Sequence, residues 1–194
     1  MGGDVGARLL VARLAELRVA VVHPEKLAER VEFIHRTTES NAIAEQFIDG
    51  REIYVSVMGN QRLQTYTPWE LVIRNLSEGS LNIATGRLKW NTDYQKKVGL
   101  VTRPADLTEE LQRKLESVSK RIYRHLNLSG YARLDYRLSN DGEFYLLEAN
   151  PNPQIARNED FADSAAHFGL SYCPLLQKIL TLGLSYSEYI GQLN

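Results

Sequence analysis

Residues 130–154 read GYARLDYRLSNDGEFYLLEANPNPQ and alternate in two halves. Side chains repeat every second residue along a strand. Tyr131, Arg133, Asp135 and Arg137 therefore share one face of the first half, and Ala132, Leu134, Tyr136 and Leu138 share the other. In the second half Phe144, Leu146, Glu148 and Asn150 share a face. Ser139-Asn140-Asp141-Gly142 between them is turn chemistry, and Asp-Gly signals a two-residue hairpin loop. With Asp141-Gly142 as the loop, Asn140 pairs with Glu143. Counting back then sets Asp135 opposite Glu148 and Arg133 opposite Asn150. Like charges directly opposite destabilise a sheet, and a bound cation removes the conflict. Mg²⁺ suits such a face because it takes hard oxygen ligands and combines one or two carboxylates with phosphates. Asn150 adds a neutral oxygen, and Arg133 has the fork that holds a phosphate. The competing reading is a solvated hairpin face whose mixed charges pair across the strands.

Outward from this hairpin, the chain alternates helical and extended patterns. Ala7 to Leu17 reads as a helix with Leu10, Leu14 and Leu17 on one face. Val19–Val22 is a strand, Pro24 opens a helix that runs to about Arg36, and Asn41–Ile48 is a strand. Residues 19–48 thus form a strand–helix–strand unit. Asp49-Gly50 is a turn, and Glu52–Met58 is a further strand. Gln61 to Leu107 reads as short strands joined by loops. Leu107–Leu126 is the strongest helix, capped by Thr108, with Leu111, Leu115, Val118 and Ile122 toward the core. Asn158–Phe168 contains a helix closed by Gly169, and Pro174–Leu184 is the last helix. The class is α+β, mainly an antiparallel sheet flanked by helices. It divides into an N-terminal extension at 1–18, a partial small lobe at 19–48 and a large lobe at 49–194.

The 194 residues suffice for one sizeable domain or two small lobes. The 23 basic and 24 acidic residues leave a formal charge of −1, which makes no electrostatic case for nucleic acid or an anionic membrane as partner. Cys173 is the single cysteine. It allows no internal disulfide or cysteine zinc cluster, and its apolar surroundings predict a buried small hydrophobe. His23, His35, His125 and His167 lack metal-ligand spacing. No apolar run is long enough to span a bilayer, and the charged residues of the first helix argue against a secretory leader. A cytoplasmic protein is the expectation.

Taken together, "GYARLDYRL…DGEFYLLEANPNP" resembles the C-terminal signature of the ATP-grasp enzymes, nearest to D-alanine–D-alanine ligase and related carboxylate–amine ligases. In those an Arg-x-Asp strand precedes a Leu-Glu-x-Asn strand. "IAEQFIDGREIYVSVMGN" resembles the same family's hinge and following strand, and "KWNTDY" takes the place of its lysine–aromatic pair. "SAAHFGLSYCPLLQKIL" resembles its closing helices. The match runs in one order over roughly residues 20–185. The resemblance implies a C-terminal ATP-grasp domain with the 19–48 unit as part of its small lobe. It implies Asp135, Glu148 and Asn150 as ligands of Mg²⁺, with Mn²⁺ as the substitute, and Arg133 on a transferring phosphoryl group. Glu45 and the backbone of Gln46, Phe47 and Ile48 would read adenine, and Glu52 would accept from ribose hydroxyls. Lys89 would reach the terminal phosphate, with Lys97 as the competing candidate. For either lysine the alternative is a solvated side chain. The implied reaction phosphorylates a carboxylate with ATP and lets an amine displace phosphate.

Two departures qualify the resemblance. Ligases of this kind carry a Pro-Gly pair after the asparagine, and here Pro153 is followed by Gln154, which lacks glycine's backbone freedom. The amine acceptor is thereby open. The family also places a substrate-binding domain and a glycine-rich phosphate loop ahead of the region matched here, and Gly2-Gly3-Asp4-Val5-Gly6 does not replace that loop because it follows no strand. The expectation is weak activity or none for this chain alone. The alternatives are a nucleotide- or metal-binding remnant, or a subunit completed by a second copy or another chain.

Overall fold

The computed structural model describes residues 9–13, 18–21, 26–39, 41–75 and 91–186. These contain nine strands and five helices in an α+β arrangement. The chain falls into two compact units, one of residues 1–49 with 73–100 and one of 50–72 with 101–194. The sequence-based division at 1–18, 19–48 and 49–194 does not contain this return of 73–100 to the first unit.

In the first unit, β1 (Leu9–Arg13), β2 (Arg18–Val21) and β3 (Ala42–Gln46) form an antiparallel sheet in the order β2-β1-β3. Helix α1 (Leu27–Thr38) lies between β2 and β3 in sequence, and Ile34 is its buried anchor, packed with Leu27, Val31 and Ala42. The helix expected at 7–17 is corrected over residues 9–13, its remaining residues lying outside the described ones. Residues 9–13 are the central strand, with Leu9 opposite Val21 on one side and Gln46 on the other. Two flanking ladders outweigh a stripe of three leucines, since strand formation is decided largely by neighbours. The expected strand–helix–strand order is present, but its two strands are separated by β1 instead of touching. Pro24, predicted to open α1, lies outside the described residues. Within 61–107 the sequence reading found only strands. The structure has a short helix α2 (Thr92–Val98), capped by Asn91, whose side chain accepts from the Tyr94 amide at 2.8 Å.

The second sheet runs β7-β6-β4-β8-β9, with β5 (Gln64–Thr65) paired to β4 off this path. Its strands are β4 (Arg51–Met58), β6 (Trp69–Ile73), β7 (Leu100–Pro104), β8 (Tyr131–Leu138) and β9 (Phe144–Asn150). Alternation divides β4 and β8 between two faces. Ile53, Val55, Val57, Ala132, Leu134, Tyr136 and Leu138 build the core beneath helix α3 (Glu109–His125), which contributes Leu115 and Tyr123. Thr108 caps α3 as predicted, its Oγ1 accepting from the Leu111 amide at 3.3 Å. Ser119 and the Tyr136 hydroxyl close a buried hydrogen bond at 2.9 Å, so the polar groups of this core are paired.

At one end of the opposite face, Met58 packs with Tyr131 and Phe161 beneath helices α4 (Asp160–His167) and α5 (Tyr172–Leu184). Cys173 is exposed on α5, which corrects its reading as a buried residue. Its helical position, one turn before Leu176, faces away from buried Leu175. Further along the same sheet face, apolar residues give way to charged ones.

The β8–β9 hairpin departs from the predicted two-residue loop. Leu138 pairs with Phe144, and the turn between them is held by the Ser139 amide donating to Glu143 O at 2.9 Å and Gly142 to Ser139 O at 3.1 Å. This shifts the tip by one residue from the expected register. A bulge between the Tyr136–Leu146 and Asp135–Glu148 pairs then shifts it back. Asp135 opposite Glu148 and Arg133 opposite Asn150 are therefore as expected. The shared face of Phe144, Leu146, Glu148 and Asn150 is not. Phe144 packs on the α3 core, 6.2 Å from the Tyr136 ring centroid, while Glu148 stands beside Asp135.

Candidate functional site

The ladder registers Glu52–Arg137, Tyr54–Asp135 and Ser56–Arg133 place three residues of β4 beside three of β8 on the face away from α3. The β8–β9 ladder adds Glu148 and Asn150 on the same side. Glu52, Tyr54, Asp135 and Arg137 are all buried there. Burial of charge is tolerated only with partners, and the partners are specific. Arg133 closes both oxygens of Asp135, from Nε at 2.8 Å and Nη2 at 2.9 Å. Its remaining nitrogen, Nη1, is 3.6 Å from Asp160 Oδ2. The guanidinium also lies over the Tyr54 ring, 4.4 Å from its centroid. One strand register along, Arg137 Nη2 donates to Glu52 Oε2 at 3.2 Å and Nη1 to Gly50 O at 3.3 Å. The Tyr54 hydroxyl donates to Glu52 Oε1 at 2.9 Å.

These contacts set the electrostatics. Burial pushes the Asp135 carboxyl up to about 6, against the pull of Arg133 and with help from the charges of Glu148 and Glu52. Burial likewise raises Asp160, opposed by a Thr102 hydrogen bond and by Arg133. The Tyr54 phenol is held far above its ordinary value by burial and by neighbouring Glu52 and Asp135. Four carboxylates, of Glu52, Asp135, Glu148 and Asp160, thus surround two guanidiniums. Among the described residues the charges of Glu148 and Glu52 oppose that of Asp135. Such a face favours an added cation.

The donors fit the Mg²⁺ expectation in kind. Asp135, Glu148 and Asn150 offer only oxygen, which hard divalent cations take. Among the described residues no cluster of three or more His, Cys, Asp or Glu forms a metal cage, so Asn150 and non-protein oxygens would complete the shell. Asn150 Oδ1 is itself held in place, accepting from the Asn152 amide at 2.9 Å.

Among the expected nucleotide contacts, Glu45 and Gln46 are exposed at the end of β3, Phe47 is buried and Ile48 is half-buried. These four, with exposed Lys97 in the last turn of α2, belong to the first unit; the acidic face belongs to the second. Lys89 lies outside the described residues. Glu52 is neither exposed nor idle, since both its oxygens carry hydrogen bonds. The sequence reading missed Tyr54, the pairing of Arg137 and Asp160. Tyr54 was findable, because it stands two residues from Glu52 in a strand already recognised. Asp160 gave no signal beyond an acid in a first helical turn.

A family profile described as "D-ala D-ala ligase C-terminus" matches residues 19–181. The chain belongs to that family. Within this ligase C-terminal family, the D-alanine–D-alanine ligase of Desulfotalea psychrophila is 27% identical over 191 residues, covering 95% of this chain and 56% of that protein. That of Haemophilus influenzae is 32% identical over 161 residues, 82% of this chain and 49% of that protein. The chain spans about half the length of the curated ligases it matches. Among solved structures, the Bacillus anthracis D-alanine–D-alanine ligase complexed with ATP superposes with a TM-score of 0.74 at 20% identity, over 95% of this chain and 56% of that one. The Coxiella burnetii ligase gives 0.74 at 18%, over 95% and 47%. At such identities the structural likeness establishes the ATP-grasp ligase fold. No helix among the described residues is long and apolar enough to cross a membrane.

Proposed function

We propose that this chain carries the ATP- and Mg²⁺-binding part of a carboxylate–amine ligase that works through an acyl phosphate. The supporting observation is the alignment of buried Asp135 with Glu148 and Asn150 on one sheet face in a chain of the ligase C-terminal family. Those three residues would hold the metal. When bound, Mg²⁺ neutralises charge on phosphate oxygens during transfer. Arg133 has the planar fork to hold the transferring phosphoryl group, in place of the carboxylate it now grips. Tyr54 keeps that fork stacked and oriented, and Arg137 fixes Glu52. Glu52 would accept from a ribose hydroxyl through a lone pair left on an oxygen that already receives one hydrogen bond. Glu45 and the Gln46–Ile48 backbone would read adenine, with Lys89 or Lys97 on the terminal phosphate.

Calorimetric titration of the chain with ATP, with and without Mg²⁺, tests this reading. The expectation is a saturable site for ATP that depends on Mg²⁺. Asp135→Asn should abolish the Mg²⁺ dependence. Binding indifferent to both Mg²⁺ and Asp135, or no binding at millimolar ATP, sinks it.

A further inference from the structure

Arg133 touches two carboxylates. Nε and Nη2 serve Asp135, and Nη1 lies 3.6 Å from Asp160 at the start of α4. Asp160 also has a hydrogen bond from Thr102. Both side chains are largely shielded, at 20% and 19% exposure. The proposed reaction gives Asp160 no task. Yet a cation arriving at Asp135 meets the positive charge of Arg133, which already holds one lone pair on each carboxylate oxygen and repels the newcomer. Arg137 is committed to Glu52, so the displaced charge is that of Arg133. A guanidinium that loses its partner in a shielded place needs another at once. Asp160 already lies within ion-pair distance of the third nitrogen. The Tyr54 ring lies under the guanidinium, 4.4 Å from its centroid, and can hold the cation in either seat.

We infer that Asp160 is the second seat of Arg133: when a divalent cation takes Asp135, the guanidinium transfers its paired hydrogen bonds to Asp160. Asp160 is then a positioning residue, which eases metal entry and holds the Arg133 fork beside the site until a phosphoryl group takes it. This rests on the metal site proposed above. It adds a coupling between cation occupancy and the placement of Arg133.

Mn²⁺ alone is the probe, with free ion counted by electron paramagnetic resonance on the whole chain. Asp160→Asn should weaken Mn²⁺ binding roughly tenfold, on the scale of coupling between contacting charged groups. Asp160→Glu should restore most of it. Arg133→Met removes the competitor and should bind Mn²⁺ at least as well as wild type. In that background Asp160→Asn should change affinity less than about twofold, because no guanidinium is left to reseat. Equal weakening in both backgrounds makes Asp160 a ligand and overturns the inference. No effect of Asp160→Asn in the Arg133 background overturns it while the metal site stands. Absence of Mn²⁺ binding in both wild type and Arg133→Met removes the metal site itself, and this inference with it. Wild-type protein gives a further readout that needs no Asp160 variant. The Arg133 Nε–H resonance should shift on adding Mg²⁺ and stay slow to exchange with water. An unmoved resonance, or one lost to solvent exchange, also overturns the reseating.

Discussion

Arg133 grips Asp135 with both ends of its fork, two residues along the same strand, although Glu148 is the neighbour that faces Asp135 across the ladder. The two acids therefore differ in role without metal. Asp135 is a partner in a buried ion pair, and Glu148 is a more exposed like charge beside it.

Amide substitutions should separate these roles. Asp135→Asn should be neutral or stabilising in the metal-free protein at neutral pH, because burial disfavours the charged carboxylate more than Arg133 favours it, and Arg133 keeps Asp160. Glu148→Gln should shift stability by less than about 1 kcal/mol, since it removes a like charge opposite Asp135 together with Glu148's own polar contact. Urea unfolding without metal measures both. A clear loss of stability in Asp135→Asn would mean that the Arg133 pair outweighs burial.

The pH dependence follows from the raised Asp135 carboxyl. Its folded value, about 6, exceeds the ordinary 3.8, so between these the folded state holds more protons than the unfolded. Stability from this group is present below the lower value and is lost as pH rises through the upper one. Asp160, also raised, acts in the same sense. Glu70, lowered by Arg51 and Arg103, acts oppositely. The wild type should therefore lose stability relative to Asp135→Asn between about pH 4 and pH 6. Thermal melts of both across that window, without divalent ions, read the difference. A constant gap rejects the shift.

Glu52, Arg137 and Tyr54 are linked in a buried set, with Arg137 also donating to Gly50 O. Arg137→Met should cost roughly 3–5 kcal/mol, because Glu52 is left buried with its charge uncompensated. Tyr54→Phe should cost only about 1 kcal/mol, one hydrogen bond. Adding Glu52→Gln to Arg137→Met should recover part of the loss. Additive costs in the double variant would show that the two side chains are not coupled.

Gly50 has φ +148°, and a Cβ there would sit 2.1 Å from the Leu138 carbonyl oxygen. Gly50→Ala should cost roughly 2–4 kcal/mol, from a strained backbone and a clash with main chain that cannot give way. Gly169, with φ +104° and open space around it, is the control. Gly169→Ala should cost about 1 kcal/mol, from conformation alone. Equal melting shifts for the two would deny the clash.

Much of the second unit was legible because its strands bury one face and alternate cleanly. The Glu52–Met58 and Tyr131–Leu138 patterns gave the faces correctly, and Thr108 marked the start of α3. The acidic pair was placed correctly although the hairpin tip was not. The tip register lies one residue from that predicted by Asp141-Gly142, and the bulge cancels the difference before Asp135 is reached. Neither deviation has a sequence signature, since Ser139-Asn140-Asp141-Gly142 suits several turns. The first unit was harder. Leu10, Leu14 and Leu17 mimic a helical stripe, and only the ladders to β2 and β3 show that residues 9–13 are a strand. Helix α2 is short and polar, so its one clear sign was Asn91 as cap. Asp160 was illegible in principle. An acid in a first helical turn is ordinary dipole chemistry, and its neighbour Arg133 is distant in sequence.

The bulge at Leu147 works as a slip joint. On its tip side the turn dictates which residues meet; on its base side the ladder to β4 does. Because the two stretches are out of step by one residue, a change in tip length need not travel down to Asp135 and Glu148. Removing Leu147 alone would bring the stretches into step and leave every present pair opposite its partner. What would be lost is the local kink and added twist that a bulge gives its strand. The tip of this hairpin can therefore vary between relatives, or be trimmed and extended by design, while the acids keep their partners.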